Sequence, residues 1–257
     1  MSNLALASTL VFVAITAFLS IWKKLGLEKD ILIGTVRSAL QLLFIGYVLH
    51  FIFDTQNPLF IILILVCMIG VASWNAGSRA REIRGIRLRI AITLACTEGL
   101  TMALLLGFSI IEPTPQYIIP VSGIVIGSSM IVAGIYLNQM KRELESSRGE
   151  VETLLALGAT ARQAIQGAVK RSVRSSMIPT IDGMKTVGLV QLPGMMTGMI
   201  VAGADPIEAV RYQMLIMFVL ASSAALTAIL LSQISYRLWF TKDVRLVPNP
   251  QQETKRA

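Results

Sequence analysis

Residues Glu150 to Gln166 read EVETLLALGATARQAIQ and lie inside a polar interruption, residues 141–185, between long apolar runs. Val151, Leu154 and Leu155 recur at the spacing of one face of an α-helix. The first half of the stretch therefore predicts a short amphipathic helix. Because everything before and after the interruption is mostly apolar, this polar segment decides how the rest of the chain is divided.

The predicted helix ends at a glycine. Gly158 stands just past the last apolar position, where a left-handed residue commonly ends a helix. Thr160 follows two residues later and can cap a second short helix. We expect the apolar face of such a bent pair to cover either the membrane surface or a partner protein.

The composition indicates a protein that crosses a membrane several times. Apolar residues make up 54% of the 257 residues, charged residues only 15%, and the mean hydropathy is +0.68. A soluble domain of this size could not bury so much apolar surface. The net charge of +8 is spread over short segments between apolar runs, which is typical of membrane orientation, so we expect no nucleic-acid partner.

Seven stretches approach the length of about 20 residues that a bilayer requires. Alternate connections hold 21 of the 23 Lys and Arg residues, which places the N-terminus outside and the C-terminus in the cytosol. The sequence thus predicts an all-α integral membrane protein with a permease domain over residues 1–240, a cytosolic coupling loop over 141–185 and a flexible cytosolic tail over 241–257. The predicted spans are Leu4–Trp22, Ile31–Phe53, Pro58–Trp74, Ile90–Ile111, Tyr117–Leu137, about Thr186–Gly203, and Tyr212–Tyr236.

Two ionisable residues fall at membrane depth. Arg37 lies six residues into the second predicted span and Glu98 eight residues into the fourth. A charge inside a bilayer costs ~3 kcal/mol on insertion scales, so each is a candidate functional residue. One interpretation is a buried ion pair that fixes helix packing, or snorkelling of Arg37 to the interface. The other makes Glu98 a metal ligand on a translocation path that Arg37 and Gln41 also line.

A broken segment inside the sixth predicted span is a second candidate site. Gln191 to Met199 read QLPGMMTGM, and Pro193 with Gly194 interrupts the helical pattern. Free carbonyl groups at membrane depth must face protein or a polar cavity. Thioether sulfur suits Cu(I), whereas a carboxylate favours Fe(II), Mn(II) or Mg(II); methionine as simple core filling is the alternative. The methionines proposed as ligands are Met195, Met196 and Met199.

The sequence contains no motif for chemistry of its own. The phosphate-binding pattern G-x-x-x-x-G-K-[ST] does not occur, and neither does a Ser/His/Asp or H-E-x-x-H arrangement. We therefore expect no enzymatic activity and no tightly bound cofactor. If ATP drives the protein, a partner must hydrolyse it.

Three stretches resemble the FetB-type permease family. They are RSALQLLFIG at Arg37–Gly46, ETLLALGAT from Glu152, and PTIDGMKTVGLVQLPGMMTGMIVAGADPIEAVRYQ at Pro179–Gln213. The second also resembles the E-A-A-x-x-x-G coupling loop by which ABC permeases dock on their ATPases. That likeness assigns ATPase docking to Glu152, Leu155, Gly158 and Thr160.

The family resemblance implies a complex of two copies of this chain with two FetA-type ATP-binding subunits in the bacterial inner membrane. It further implies export of a metal cation, iron in the bacterial members, and protection against peroxide stress. Plant relatives are linked to aluminium tolerance.

Two other functions stay open. One is a non-transporting, FtsX-like partner that passes a signal from an ABC ATPase across the membrane; such proteins usually carry a sizeable outer domain, which the short outer loops here disfavour. The other is an ion-driven metal carrier in which Glu98 is a proton site. A requirement for ATP would exclude that carrier.

Overall fold

The computed structural model describes residues 8–55, 58–80, 83, 85–241 and 246, and this part of the chain is helical almost throughout. Two short 3-10 turns, Ser78–Ala80 and Tyr236–Trp239, follow the third and the last α-helix. The α-helices are α1 (Leu10–Trp22), α2 (Glu28–Thr55), α3 (Pro58–Gly77), α4 (Ile86–Gly107), α5 (Pro115–Ser146), α6 (Arg148–Ala156), α7 (Ala161–Ala164), α8 (Gln166–Thr186), α9 (Gly194–Val201) and α10 (Pro206–Ser235).

Five helices in the described ranges are long and apolar enough to cross a membrane, namely α2, α3, α4, α5 and α10. The apolar α1 has 13 residues in its described part. The prediction of an all-α protein with several membrane spans is confirmed. The orientation of the two termini stays a prediction.

The predicted sixth span is not a continuous helix. α8 ends at Thr186, residues 187–193 are non-helical, and α9 has only eight residues. Gly188 takes a φ of +83°, which glycine adopts without strain, and Pro193 precedes α9 in extended backbone. At 1.5 Å per residue α9 is about 12 Å long, so it is too short to cross a bilayer by itself.

The chain forms two compact units, which meet in sequence between Asn57 and Pro58. The first contains α1 and α2. Near the end of α1 the hydroxyl of Ser20 donates to Oε2 of Glu28 over 3.0 Å and accepts from the amide of Leu27 in the turn over 3.0 Å. Because Ser20 is buried, these bonds fix the geometry of this helical hairpin.

The second unit contains α3 to α10, and hydroxyl residues line its inner helix contacts. Thr227 of α10 donates to Thr97 of α4 over 3.3 Å. Small hydroxyl residues let membrane helices approach closely. Their hydroxyl groups can also donate to a backbone carbonyl of the same helix, as Thr93 does to the carbonyl of Arg89. The buried hydroxyl residues include Thr93, Thr97, Thr101, Ser122, Ser129, Ser223 and Thr227.

Arginines at the end of this unit nearest the predicted cytosol hold the helix ends together. The guanidinium of Arg87 lies 3.9 Å from the ring centroid of Trp74. Arg89 donates to the carbonyl of Ile234 at the C-terminal end of α10, where a positive charge complements the helix dipole. Of the predicted flexible tail only Thr241 and Leu246 lie within the described residues, and Leu246 is buried in the core.

Candidate functional site

The polar loop folds into the predicted bent pair of helices. α6 ends at Ala156, and Gly158 takes a φ of +91°, the left-handed conformation that favours glycine. Thr160 then caps α7 in a reciprocal box with Gln163: its hydroxyl accepts from the Gln163 amide over 3.4 Å, and its own amide donates to the Gln163 side chain over 2.9 Å. The conformation predicted for Gly158 and Thr160 is confirmed, and their role in ATPase docking stays a prediction.

The apolar face of α6 packs against the chain's own core. Val151 is buried, and Leu154 and Leu155 are half-buried against the same cluster. Ile165, at the junction of α7 and α8, is also buried there. The chain's own core therefore covers part of this face, and the docking roles of Leu155 and Glu152 stay predictions.

The bend instead exposes a different leucine. Leu157 immediately precedes Gly158 and is 79% exposed. Glu152 is exposed too, and its carboxylate accepts from Nε of Arg148 over 2.8 Å. The sequence pattern did not single out Leu157 because it lies off the apolar stripe of α6. Its position next to a glycine expected to be left-handed was the feature of the sequence that could have indicated its exposure.

An ion pair connects the helices on the two sides of the bend. Nε of Arg171 on α8 donates to Oε2 of Glu143 at the end of α5, and Gln139 donates to the other carboxylate oxygen over 2.9 Å. The chain segments on the two sides of α6 and α7 are therefore tied together. The bend between them is supported on the protein side and exposed at its tip.

Glu98 is buried inside the second unit. It is 4% exposed, and neither of its carboxylate oxygens has a hydrogen-bond partner within the described part of the chain. The hydroxyl of Ser122 on α5 lies beside it and likewise lacks a partner of normal geometry among the described residues. Burying a carboxylate without compensation is costly. The place is therefore suited to a proton or a bound cation.

Arg37 and Gln41 lie one turn apart on α2 and are exposed there. They belong to the first unit, whereas Glu98 belongs to the second. The predicted pairing of Arg37 with Glu98 stays a prediction.

A pocket of about 270 Å³ opens where α5, the end of α8, α9 and α10 meet. Met195 and Met217 line it, as do Gln191 and Gln213. Gln213 is 6% exposed, and its side-chain oxygen has no hydrogen-bond partner among the residues described. The pocket therefore offers an unused acceptor beside thioether sulfur.

The predicted metal ligands are only partly brought together. Met195 lines this pocket, whereas Glu98, Met196 and Met199 do not belong to its lining. In the described ranges no group of three or more His, Cys, Asp or Glu side chains could hold a metal ion. The metal-binding roles of these four residues stay predictions.

Comparison with known proteins shows which family the chain resembles. The family described as "Uncharacterised protein family (UPF0014)" matches residues 3–240. UPF0014 membrane protein YjkA of Bacillus subtilis strain 168 is 46% identical over 97% of this chain and 100% of its own length. Probable iron export permease protein FetB of Escherichia coli strain K12 is 36% identical, over 96% of this chain and 95% of that protein.

The similarity extends to a plant protein. Protein ALUMINUM SENSITIVE 3 of Arabidopsis thaliana is 38% identical over 93% of this chain and 88% of its own length. No solved structure matches the chain. The resemblance to FetB-type proteins is confirmed, and the chain belongs to the uncharacterised protein family UPF0014.

Proposed function

We propose that this chain is the membrane subunit of an ABC-type exporter that moves a metal, with iron as the cargo, using ATP hydrolysed by a separate partner. Two copies of the chain and two ATP-binding subunits would form the complete exporter in a bacterial inner membrane. The name of the Escherichia coli relative, a probable iron export permease, supports the cargo and the direction.

The braced bend is the observation that carries the proposal. A helix that lies on lipid exposes its whole apolar face to the membrane. Here that face packs against the chain's own core, with Val151 buried and Leu155 half-buried, and the most exposed leucine is Leu157 before the left-handed Gly158. A small, rigid, apolar projection with a supported base suits the cleft of a folded partner.

The buried carboxylate of Glu98 favours one rival function, a metal carrier driven by protons. An acidic group inside the membrane that lacks a hydrogen-bond partner among the described residues is a typical proton site in such carriers. The FtsX-like alternative has less support, because the connections at residues 108–114 and 202–205 are too short to contain an outer domain.

Flux through vesicles tests the proposal. The chain is co-expressed with the ATP-binding subunit that purifies with it, reconstituted, and assayed for transport of Fe(II), Mn(II), Zn(II) and Cu(I). We expect Fe(II) flux that requires ATP and disappears when the ATPase is inactivated. Flux that follows a proton gradient without ATP would instead support the carrier.

A further inference from the structure

The polar helix α8 runs antiparallel beside the apolar helix α5. Near its start the hydroxyl of Ser172 donates to Sδ of Met140 over 3.6 Å, and both residues are fully buried. As residue numbers rise along α8, those of the α5 residues near it fall. Arg171 contacts Glu143 and Ser172 contacts Met140, whereas Met177 packs against the cluster that contains Val132, and Gly183 lines the same pocket as Ile124.

This register places α8 at membrane depth. Residues 172–183 of α8 rise about 17 Å at 1.5 Å per residue, which is about half of the ~30 Å core of a bilayer, and the α5 residues near them lie between Met140 and Ile124. α5 is one of the helices apolar enough to cross a membrane. Residues 172–183 of α8 lie beside that segment, so α8 enters the membrane rather than lying on its surface.

One face of α8 is nevertheless exposed and charged. Lys185 and Asp182 pair over 3.2 Å while their side chains stay 68% and 60% exposed. The exposed side chains of α3, such as Leu63 and Val66, are apolar, as lipid contact requires. The residues that form this exposed face, here called the α8 stripe, are Arg174, Ile178, Ile181, Asp182 and Lys185.

Charged side chains at this depth are not stable against hydrocarbon. They persist where they face water or a protein cavity. We propose that the α8 stripe faces water inside the membrane and forms one wall of the path that the cargo follows. In this arrangement α8, the turn at residues 187–193 and α9 together make the sixth crossing, which keeps the number of crossings odd.

The charge of the α8 stripe also indicates the class of cargo. Arg174 and Lys185 outnumber Asp182, so the stripe carries a net charge of +1. A positive wall raises the local concentration of anions and lowers that of bare cations. The path therefore favours a metal held in an anionic complex. The inference about the cargo rests on the proposed export of a metal. The inference that the α8 stripe contacts water does not depend on that proposal.

Thiol labelling tests the water contact. Both native cysteines, Cys67 and Cys96, are exposed and are first replaced by alanine. Ile178→Cys then places a thiol on the α8 stripe, and Ile229→Cys on α10 is the matched control. Both isoleucines are 51% exposed, and their neighbours Met177 and Ala228 belong to one cluster, so the two positions share a depth.

Membrane-impermeant, charged thiosulfonate reagents are applied to each variant in lipid vesicles opened on both faces. They react with thiolate, which forms in water and not in hydrocarbon. We expect Ile178→Cys to react about tenfold faster than Ile229→Cys or more, and both thiols to react fully after unfolding in detergent. Equal reaction rates at Ile178→Cys and Ile229→Cys, or no reaction at Ile178→Cys, would overturn the proposal that the α8 stripe faces water. In that case the stripe would lie against lipid or pack against another helix without water.

Reagent charge tests the class of cargo. The measured quantity is the ratio of the reaction rate of an anionic reagent to that of a cationic one. This ratio should be higher at Ile178→Cys than for free cysteine in solution, and Lys185→Gln should lower it. A preference for the cationic reagent would overturn the anionic complex and leave the aqueous wall standing. Neither measurement uses ATP or metal, so failure of the proposed export would not be confused with failure of this inference.

Discussion

Nε of Arg171 lies 2.5 Å from Oε2 of Glu143, and this contact joins the first turns of α8 to the last turn of α5. The residues are 28 positions apart, and the whole of α6 and α7 lies between them. The contact therefore closes the segment of the polar loop that contains α6 and α7. It links the segment that carries the bend at Gly158 directly to the last turn of α5.

Breaking that contact should loosen the base of the loop without unfolding the protein. We expect Arg171→Gln and Glu143→Gln each to increase amide hydrogen exchange over residues 148–165, because the pair is partly exposed and serves mainly to restrict motion. The exchanged pair Arg171→Glu with Glu143→Arg should recover part of the protection. Exchange that is unchanged in both single variants would show that the pair does not brace the loop.

The bend itself should depend on glycine for its backbone. With φ at +91° and no atom within 4 Å of the place that a Cβ would occupy, Gly158→Val should be disfavoured by backbone strain of about 1–2 kcal/mol rather than by a clash. Gly158→Asn is the matched control, because asparagine tolerates the left-handed region. We expect Gly158→Val to insert and dimerise but lose the co-purifying ATPase, and Gly158→Asn to keep it. If both variants retain a fully coupled ATPase, the docking assignment is wrong.

Two leucines of the loop should respond differently to the same change. Leu157→Asp alters an exposed side chain, so we expect a stability change within about 0.5 kcal/mol and loss of the ATPase in pull-down. Leu155→Asp places a charge against the core and should lower the unfolding temperature. A folded Leu157→Asp protein that recruits as much ATPase as the unchanged chain would argue against Leu157 as the contact.

Substitutions of Glu98 separate a ligand from a packing residue. Glu98→Gln keeps the shape and removes the charge, so we expect a folded protein whose ATPase no longer responds to metal. If the role is structural and Arg37 is its partner, Arg37→Met with Glu98→Leu should be tolerated, while either single change should destabilise the protein. Normal metal stimulation in a folded Glu98→Gln protein would end the ligand hypothesis.

The predicted orientation is tested by reporters at the two ends. We expect a fusion after Ala257 to be cytosolic and one before Ser2 to be outside, because 21 of the 23 basic residues lie in alternate connections. Both reporters on one side of the membrane would rule out an odd number of crossings.

Local chemistry explains what could be predicted from the sequence. Gly158 and Thr160 were identifiable because a left-handed helix end and a hydroxyl cap depend on a few adjacent residues. The long apolar spans were identifiable because length and composition suffice.

Tertiary packing explains what could not be predicted. The burial of Val151 and the half-burial of Leu155 depend on helices distant in sequence. The placement of α8 beside α5 is hidden for a different reason. Arg174, Asp182 and Lys185 give α8 the composition of a surface loop, and only its contacts with α5 lead to the membrane depth proposed for it.

Ile165 is the only residue between α7 and α8, and it caps both, so no long linker separates the bend from the long polar helix. If the bend and α8 move as one body, they act as a lever whose fulcrum is this buried isoleucine. The short arm ends at Gly158 and the long arm at Thr186, 21 residues away. A tilt of ~10° at the fulcrum would move the far end of α8 by about 5 Å at 1.5 Å rise per residue. In the proposed exporter, a small movement of the tip would thus become a larger displacement at the far end of α8, beside the pocket that Gln191 and Gln213 line.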